Sequence, residues 1–152
     1  MNTSRTFCND LAELPGLVTF AADFADRVGL PRPELSRLLL ILDELFSNIV
    51  RHGYDTPDAR GAITIGLSFE AGRLGIEITD DGRAFDPLAL PPPDLDLTVE
   101  DRPVGGLGIH FVRQMTDDAW YTRSEDRNCL SLIRGIVPEA RSGGATQGGG
   151  SG

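Results

Sequence analysis

The sequence has no lysine: all 14 of its basic residues are arginine, set against 23 Asp and Glu for a formal net charge of −9. That balance argues against a nucleic-acid-binding surface, which announces itself as clustered basic residues. Cysteine is scarce as well. Cys8 and Cys129 are the only two, too few for a disulfide framework, and they fit small thiols kept reduced. No apolar run approaches the roughly 20 residues that cross a bilayer. The first residues, MNTSRTFCND, lack the basic-then-apolar order of a secretory signal. No internal repeat is present. Together these absences point to a cytoplasmic protein with neither a membrane nor a nucleic acid as its direct partner.

What is present suits an ordinary globular domain: 152 residues, 40% of them hydrophobic and 24% charged. Residues 1–138 are expected to form the domain, and 139–152, rich in Gly and Ser, a disordered tail. A chain this negative that bound a polyphosphate would need local compensation from a divalent cation, a helix N-terminus or a few placed arginines.

The periodicity changes along the chain. Residues 4–8 read as a short strand. Leu17, Phe20, Ala21, Phe24 and Val28 recur at helical spacing, and Gly29 closes that helix. Pro31-Arg32-Pro33-Glu34 opens a second helix that runs to His52 and ends at Gly53. Ile63, Ile65, Leu67 and Phe69 then alternate, a turn follows at Glu70–Arg73, and Leu74, Ile76 and Ile78 alternate again, so a β-hairpin is expected. Residues 86–104, with Pro87 and Pro91-Pro92-Pro93, form a long irregular loop. A helix begins after Gly105-Gly106-Leu107-Gly108. A last hairpin pairs Ala119–Arg123 with Cys129–Val137 across a turn at Glu125-Asp126-Arg127-Asn128. Helices segregated from strands in this order make an α+β two-layer sandwich rather than a doubly wound nucleotide fold.

Three short motifs carry possible chemistry. Glu44, Asn48 and His52, four residues apart on the second helix, line one stripe beside the apolar face of Leu38, Ile41, Leu42, Leu45 and Ile49. Asparagine is a poor helix former, and its amide oxygen suits Mg²⁺. A carboxylate one turn away can take a proton. Asp80-Asp81-Gly82 follows the hairpin's second strand; it is either a plain turn or a buried acceptor for a nucleobase amine. Gly105-Gly106-Leu107-Gly108 precedes a helix and either frees its entry or lets backbone N–H groups reach a phosphate. No G-K-[ST] follows, so it is not a Walker A loop, and no strand leads directly into it as a dinucleotide fingerprint requires.

In this order the three motifs resemble the N, G1 and G2 boxes of the GHKL ATPases. Asp43–Tyr54 (DELFSNIVRHGY), Asp80–Pro87 (DDGRAFDP) and Gly105–His110 (GGLGIH) are most similar to those of the small anti-sigma regulatory factors, the serine/threonine kinases of bacterial partner-switching systems. The resemblance covers about residues 5–137. It implies a Bergerat-type fold: a mixed, mostly antiparallel sheet covered on one face by helices. It also implies ATP and Mg²⁺ as cofactors. Asn48 would coordinate the metal, Glu44 would act as general base and Asp80 would bind adenine. Gly82, Ala84 and Phe85 would shape the pocket, with His52 and Tyr54 at its edge. Residues 86–104 would be the ATP lid, and Gly105, Gly106, Leu107 and Gly108 would meet the phosphates.

Two departures stand out. Ala84 replaces the usual second glycine of the G1 box, where a positive φ would be costly for alanine. No basic residue immediately precedes Gly106, and Arg102 is out of register.

The expected partner is a STAS-domain anti-sigma-factor antagonist, with a sigma factor or other regulator as a second client and a homodimer as one arrangement. The competing reading is a nucleotide-controlled anti-sigma binding module with little kinase activity, for which Glu44 has no use. A sensor-kinase fragment or plain ATPase is disfavoured, since the chain has no room for a phospho-accepting helix pair or a transducer domain.

Overall fold

The protein is described here from a computed structural model, which describes residues 1–56, 60–90 and 106–137. Strand β1 (Asn2–Cys8) leads through a 3₁₀ turn (Leu11–Glu13) into helices α1 (Leu14–Val28) and α2 (Arg32–His52). Strands β2 (Ala62–Glu70) and β3 (Arg73–Asp80) follow, then a 3₁₀ turn at Pro87–Ala89. Helix α3 (Gly106–Gln114) precedes strands β4 (Asp118–Ser124) and β5 (Arg127–Gly135). Residues 91–105, which include most of the expected lid, Arg102 and Gly105, and the expected tail 139–152 lie outside the described residues.

The helices stop where their sequences can no longer continue. Gly29 takes a left-handed φ of 69° and donates its N–H to the carbonyls of Ala25 and Asp26, a cap that avoids the Cβ penalty. α2 starts on Pro31, whose fixed φ and missing N–H suit a helix entry. Its first turn is tied to the far end of the sheet. Glu34 accepts from Arg134 Nε at 2.6 Å and Nη2 at 3.2 Å, while Arg134 Nη1 donates to the Met115 carbonyl at 2.7 Å. The Arg134 guanidinium holds the Glu34 carboxyl below its ordinary value, against the smaller opposing effect of burial.

The sheet has five strands in the order β1-β2-β3-β5-β4. Every described pairing is antiparallel, a purer sheet than the mixed one expected. The reason is visible in the register: the two-helix excursion brings the chain back to the end where β1 finished, so that Ala62 pairs Cys8. Both hairpins use two-residue turns with positive φ, at Ala71 (51°) and Gly72 (73°), and at Glu125 (53°) and Asp126 (58°). Positive φ at both central residues matches the right-handed twist of the flanking strands. The second turn is tighter than expected, because Arg127 and Asn128 already belong to β5.

One face of the sheet packs on the helices. Ile63, Ile65, Leu67, Leu74, Ile76 and Ile78 meet Leu38, Ile41, Leu42, Leu45 and Phe46 of α2 and Leu17, Ala21 and Phe24 of α1 in one continuous core. Phe7 inserts edge-on between Phe20 and Phe46, with ring centroids 6.0 and 6.1 Å away. Ile109 and Val112 seat α3 on the same core. No helix among the described residues is long and apolar enough to cross a membrane.

Candidate functional site

A cleft opens where the C-terminal half of α2, the end of β3 and the β4–β5 hairpin meet. Its apolar walls are Leu45, Ile49, Ile78, Pro87 and Leu130, and its polar groups include Asn48, His52, Asp80 and Asn128. The stripe on α2 runs along its margin as the helical spacing predicts: Glu44 and Asn48 are half-buried and His52 exposed. Of the residues singled out in the sequence, Asn48, His52, Asp80 and Phe85 line this one cleft.

Asp80 is its buried carboxylate, only 6% exposed. The last residue of β3, it sits opposite Ile63 on one side and Asn128 on the other. Its Oδ1 accepts from the Gly82 amide at 2.9 Å and from Asn128 Nδ2 at 3.0 Å; no hydrogen bond from a described residue reaches Oδ2. Burial pushes the Asp80 carboxyl up from its ordinary value, and the bonds from Asn128 and Gly82 only partly offset this.

Gly82 lies behind Asp80 rather than in the cleft. A Cβ there would come 2.6 Å from the Gly53 carbonyl oxygen and 2.9 Å from Asp80 Oδ1. Close approach of backbone, not positive φ, is what demands glycine. The carbonyl of Gly53 also accepts from the Arg83 amide at 2.8 Å, so the end of α2 and the turn after β3 are stitched together. Ala84 is exposed and is not among the positive-φ residues, so the strain anticipated at that position does not arise.

Asp81 holds the same turn from the outside. Its Oδ1 accepts from the Tyr54 hydroxyl at 2.7 Å and the Ala62 amide at 3.0 Å. Burial acts to lift the Asp81 carboxyl, but these bonds outweigh it and hold the carboxyl below its ordinary value. Burial and then Asp81 push the Tyr54 hydroxyl well up. Tyr54 therefore braces the turn and does not line the cleft.

Glu44 also stands outside the cleft lining. It faces α3: a Cβ at Gly108 would collide with its carboxylate. Gly106 and Leu107 form the first turn of α3, so the glycine-flanked helix start and the Glu44 carboxylate adjoin, one helical turn along α2 from Asn48. Among the described residues no group of three or more His, Cys, Asp and Glu could hold a metal.

The residue that the sequence reading missed is Asn128. Assigned to a turn, it is in fact a β5 residue 6% exposed at the cleft floor. Gly53, Tyr121 and Arg83 complete the lining; Tyr121 and Arg83 were also missed.

A model of the histidine kinase-like ATPase domain matches residues 7–134. The chain belongs to the histidine kinase-like ATPase family. It is 32% identical over 103 residues to the serine/threonine-protein kinase BtrW of Bordetella bronchiseptica, covering 68% of this chain and 72% of that protein. It is 29% identical over 113 residues to the serine-protein kinase RsbW of Bacillus cereus, covering 72% of this chain and 69% of that protein. Among solved structures, the RsbU and RsbW domains of Rv1364c from Mycobacterium tuberculosis superpose with a TM-score of 0.63 at 13% identity. That match spans 90% of this chain and 32% of the other, and it shows the fold. Membership of this family implies use of ATP.

Proposed function

We propose that this chain is an ATP- and Mg²⁺-dependent serine/threonine protein kinase of a bacterial partner-switching system. Its substrate would be a serine on a STAS-domain anti-sigma-factor antagonist, with a sigma factor or similar regulator as a second client. The observation that carries this reading is the convergence of Asn48, Asp80, His52 and Phe85 on one cleft, with Glu44 beside the glycine start of α3.

The residues fit a bound nucleotide. A buried acceptor in an apolar cleft suits a flat base that carries an amine. Asp80 Oδ2 would accept from the adenine amine, with Phe85 and Ile78 of the cleft lining beside the ring. Asn48 would hold Mg²⁺ through its amide oxygen. The backbone N–H groups of Gly106, Leu107 and Gly108, at a helix N-terminus, would steady the phosphates. When bound, ATP·Mg²⁺ supplies the phosphoryl group and neutralises charge that develops on it. Glu44 would take the proton from the attacking serine hydroxyl, and its half-buried place against Gly108 fixes where it can reach. Phosphoryl transfer asks a protein mainly for positioning of this kind.

Relatives named serine-protein kinases support this reading over the binding-module alternative, and so does a carboxylate at Glu44. The test is Glu44→Ala. ADP affinity should stay within a few-fold, while phosphate transfer to a STAS-domain partner captured from the source cell should fall by ~10²-fold or more. Undiminished transfer would remove Glu44 as the base; no transfer by the unaltered protein would favour the binding module.

A further inference from the structure

Asn128 is more completely engaged than any other side chain in the cleft. Its Oδ1 accepts from the Phe85 amide at 3.2 Å, from Arg123 Nη1 at 3.1 Å and from the Tyr121 hydroxyl. Its Nδ2 donates to Asp80 Oδ1 at 3.0 Å and to the Arg83 carbonyl at 2.8 Å. The amide has one workable orientation, because three donors face one end and two acceptors the other. Both N–H groups are engaged, so none is left for a ligand. Asn128 therefore acts on whatever occupies the cleft through Asp80 and through the Arg83–Phe85 wall.

The consequence falls on Asp80. Two donors, the Gly82 amide and Asn128 Nδ2, converge on Oδ1. Turning the carboxylate out of this plane would break both bonds and leave the Gly82 and Asn128 donors unpaired in a buried place. Oδ2 is thus held as the acceptor that the cleft presents. We infer that Asn128 is the positioning residue that sets the nucleobase choice of this site, by fixing Asp80 so that a base bearing an exocyclic amine is accepted and one bearing a carbonyl there is rejected. A carbonyl oxygen against Oδ2 would bring two acceptors together with no hydrogen between them. The inference rests on the reading that Asp80 meets the base, and it adds what makes Asp80 selective.

The test is calorimetric titration of the whole chain with ADP and with GDP, at about pH 8.5 and about pH 5.5. Asn128→Asp preserves the shape and Oδ1 but puts a carboxylate oxygen where Asp80 needs a donor. At the higher pH the ADP-over-GDP preference should fall by ~10-fold or more as the two carboxylates repel. At the lower pH a shared proton restores the donor, and the preference should return to within about threefold of the unaltered protein. A purely structural role for Asn128 would weaken ADP and GDP alike and leave their ratio unchanged at both pH values. An unchanged preference at the higher pH overturns the inference.

Tyr121→Phe removes only a hydroxyl from the same amide and carries the test should the first variant not fold at the higher pH. A few-fold drop in preference is expected, and no drop counts against the assignment. Asp80→Asn separates the two levels. If it leaves ADP affinity intact, the reading of Asp80 itself fails. If it abolishes affinity while the position-128 variants keep full preference, only the inference about Asn128 falls.

Discussion

Replacing Asp80 by asparagine separates recognition from folding. The asparagine carbonyl can still accept from the Gly82 amide and Asn128 Nδ2, the bonds now made at 2.9 and 3.0 Å, so the turn after β3 keeps its anchor. The buried negative charge disappears. Because burial raises the carboxyl of Asp80, its contribution to stability is fullest below the ordinary aspartate value and is lost as pH rises through the raised folded value. The variant lacks that loss. Its unfolding midpoint should equal or exceed that of the unaltered protein at pH 7, and the gap should narrow toward acid. Binding should move the other way, since an N–H₂ now faces the base amine. A lost hydrogen bond to a charged group is worth ~1.5–3 kcal/mol, or about 10-fold to over 100-fold in affinity. Calorimetry with ADP and thermal melts from about pH 4 to 8 measure both. Affinity within twofold of the unaltered protein would show that Asp80 does not meet the base, and a melting point lowered by many degrees at pH 7 would show that its charge stabilises the fold.

Three further perturbations follow from the same geometry. Arg134→Met should destabilise the fold by ~1–3 kcal/mol in urea unfolding, since it breaks a two-point charged contact and frees the Met115 carbonyl. Glu34 has a lowered carboxyl, so its contribution is present above the ordinary glutamate value and lost as pH falls through the folded value; the penalty of the Met variant should shrink in acid melts. Gly108→Ala drives a methyl group into the Glu44 carboxylate and should lower phosphoryl transfer more than it weakens ADP binding, as read by kinase assay beside calorimetry. Asp126→Gly relieves a left-handed residue and should raise stability by about 1 kcal/mol in a thermal melt.

Much of this was legible before any coordinates. α2 announced itself through an apolar stripe, a proline start and a polar margin, because a 3.6-residue period admits few other structures. The placement of Asn48 at the rim of the core follows from that stripe alone. Asp80 at the end of a strand followed from the alternation of Leu74, Ile76 and Ile78. Asn128 escaped for a physical reason. Tight two-residue hairpins are signalled by Asn-Gly or Asp-Gly, and here the left-handed positions are held by Glu125 and Asp126, so Asn128 read as part of a wider turn. Pairing between β3 and β5, which sets Asn128 beside Asp80, is a long-range register that local pattern does not encode. The 3₁₀ turn at Pro87–Ala89 was hidden within a proline-rich stretch; Asp86 caps it by accepting from the Leu88 amide. The glycine at position 82 was legible as a tight turn, but its reason, contact with the end of α2, needs the tertiary structure.

The most direct measurement is a crystal structure of the chain soaked with a non-hydrolysable ATP analogue and MgCl₂. The base amine should lie within hydrogen-bonding reach of Asp80 Oδ2, and a metal at about 2.1 Å from the Asn48 amide oxygen. An analogue bound away from this cleft, or seated in it with its base turned from Asp80, would rule out Asp80 and Asn48 as the nucleotide and metal anchors.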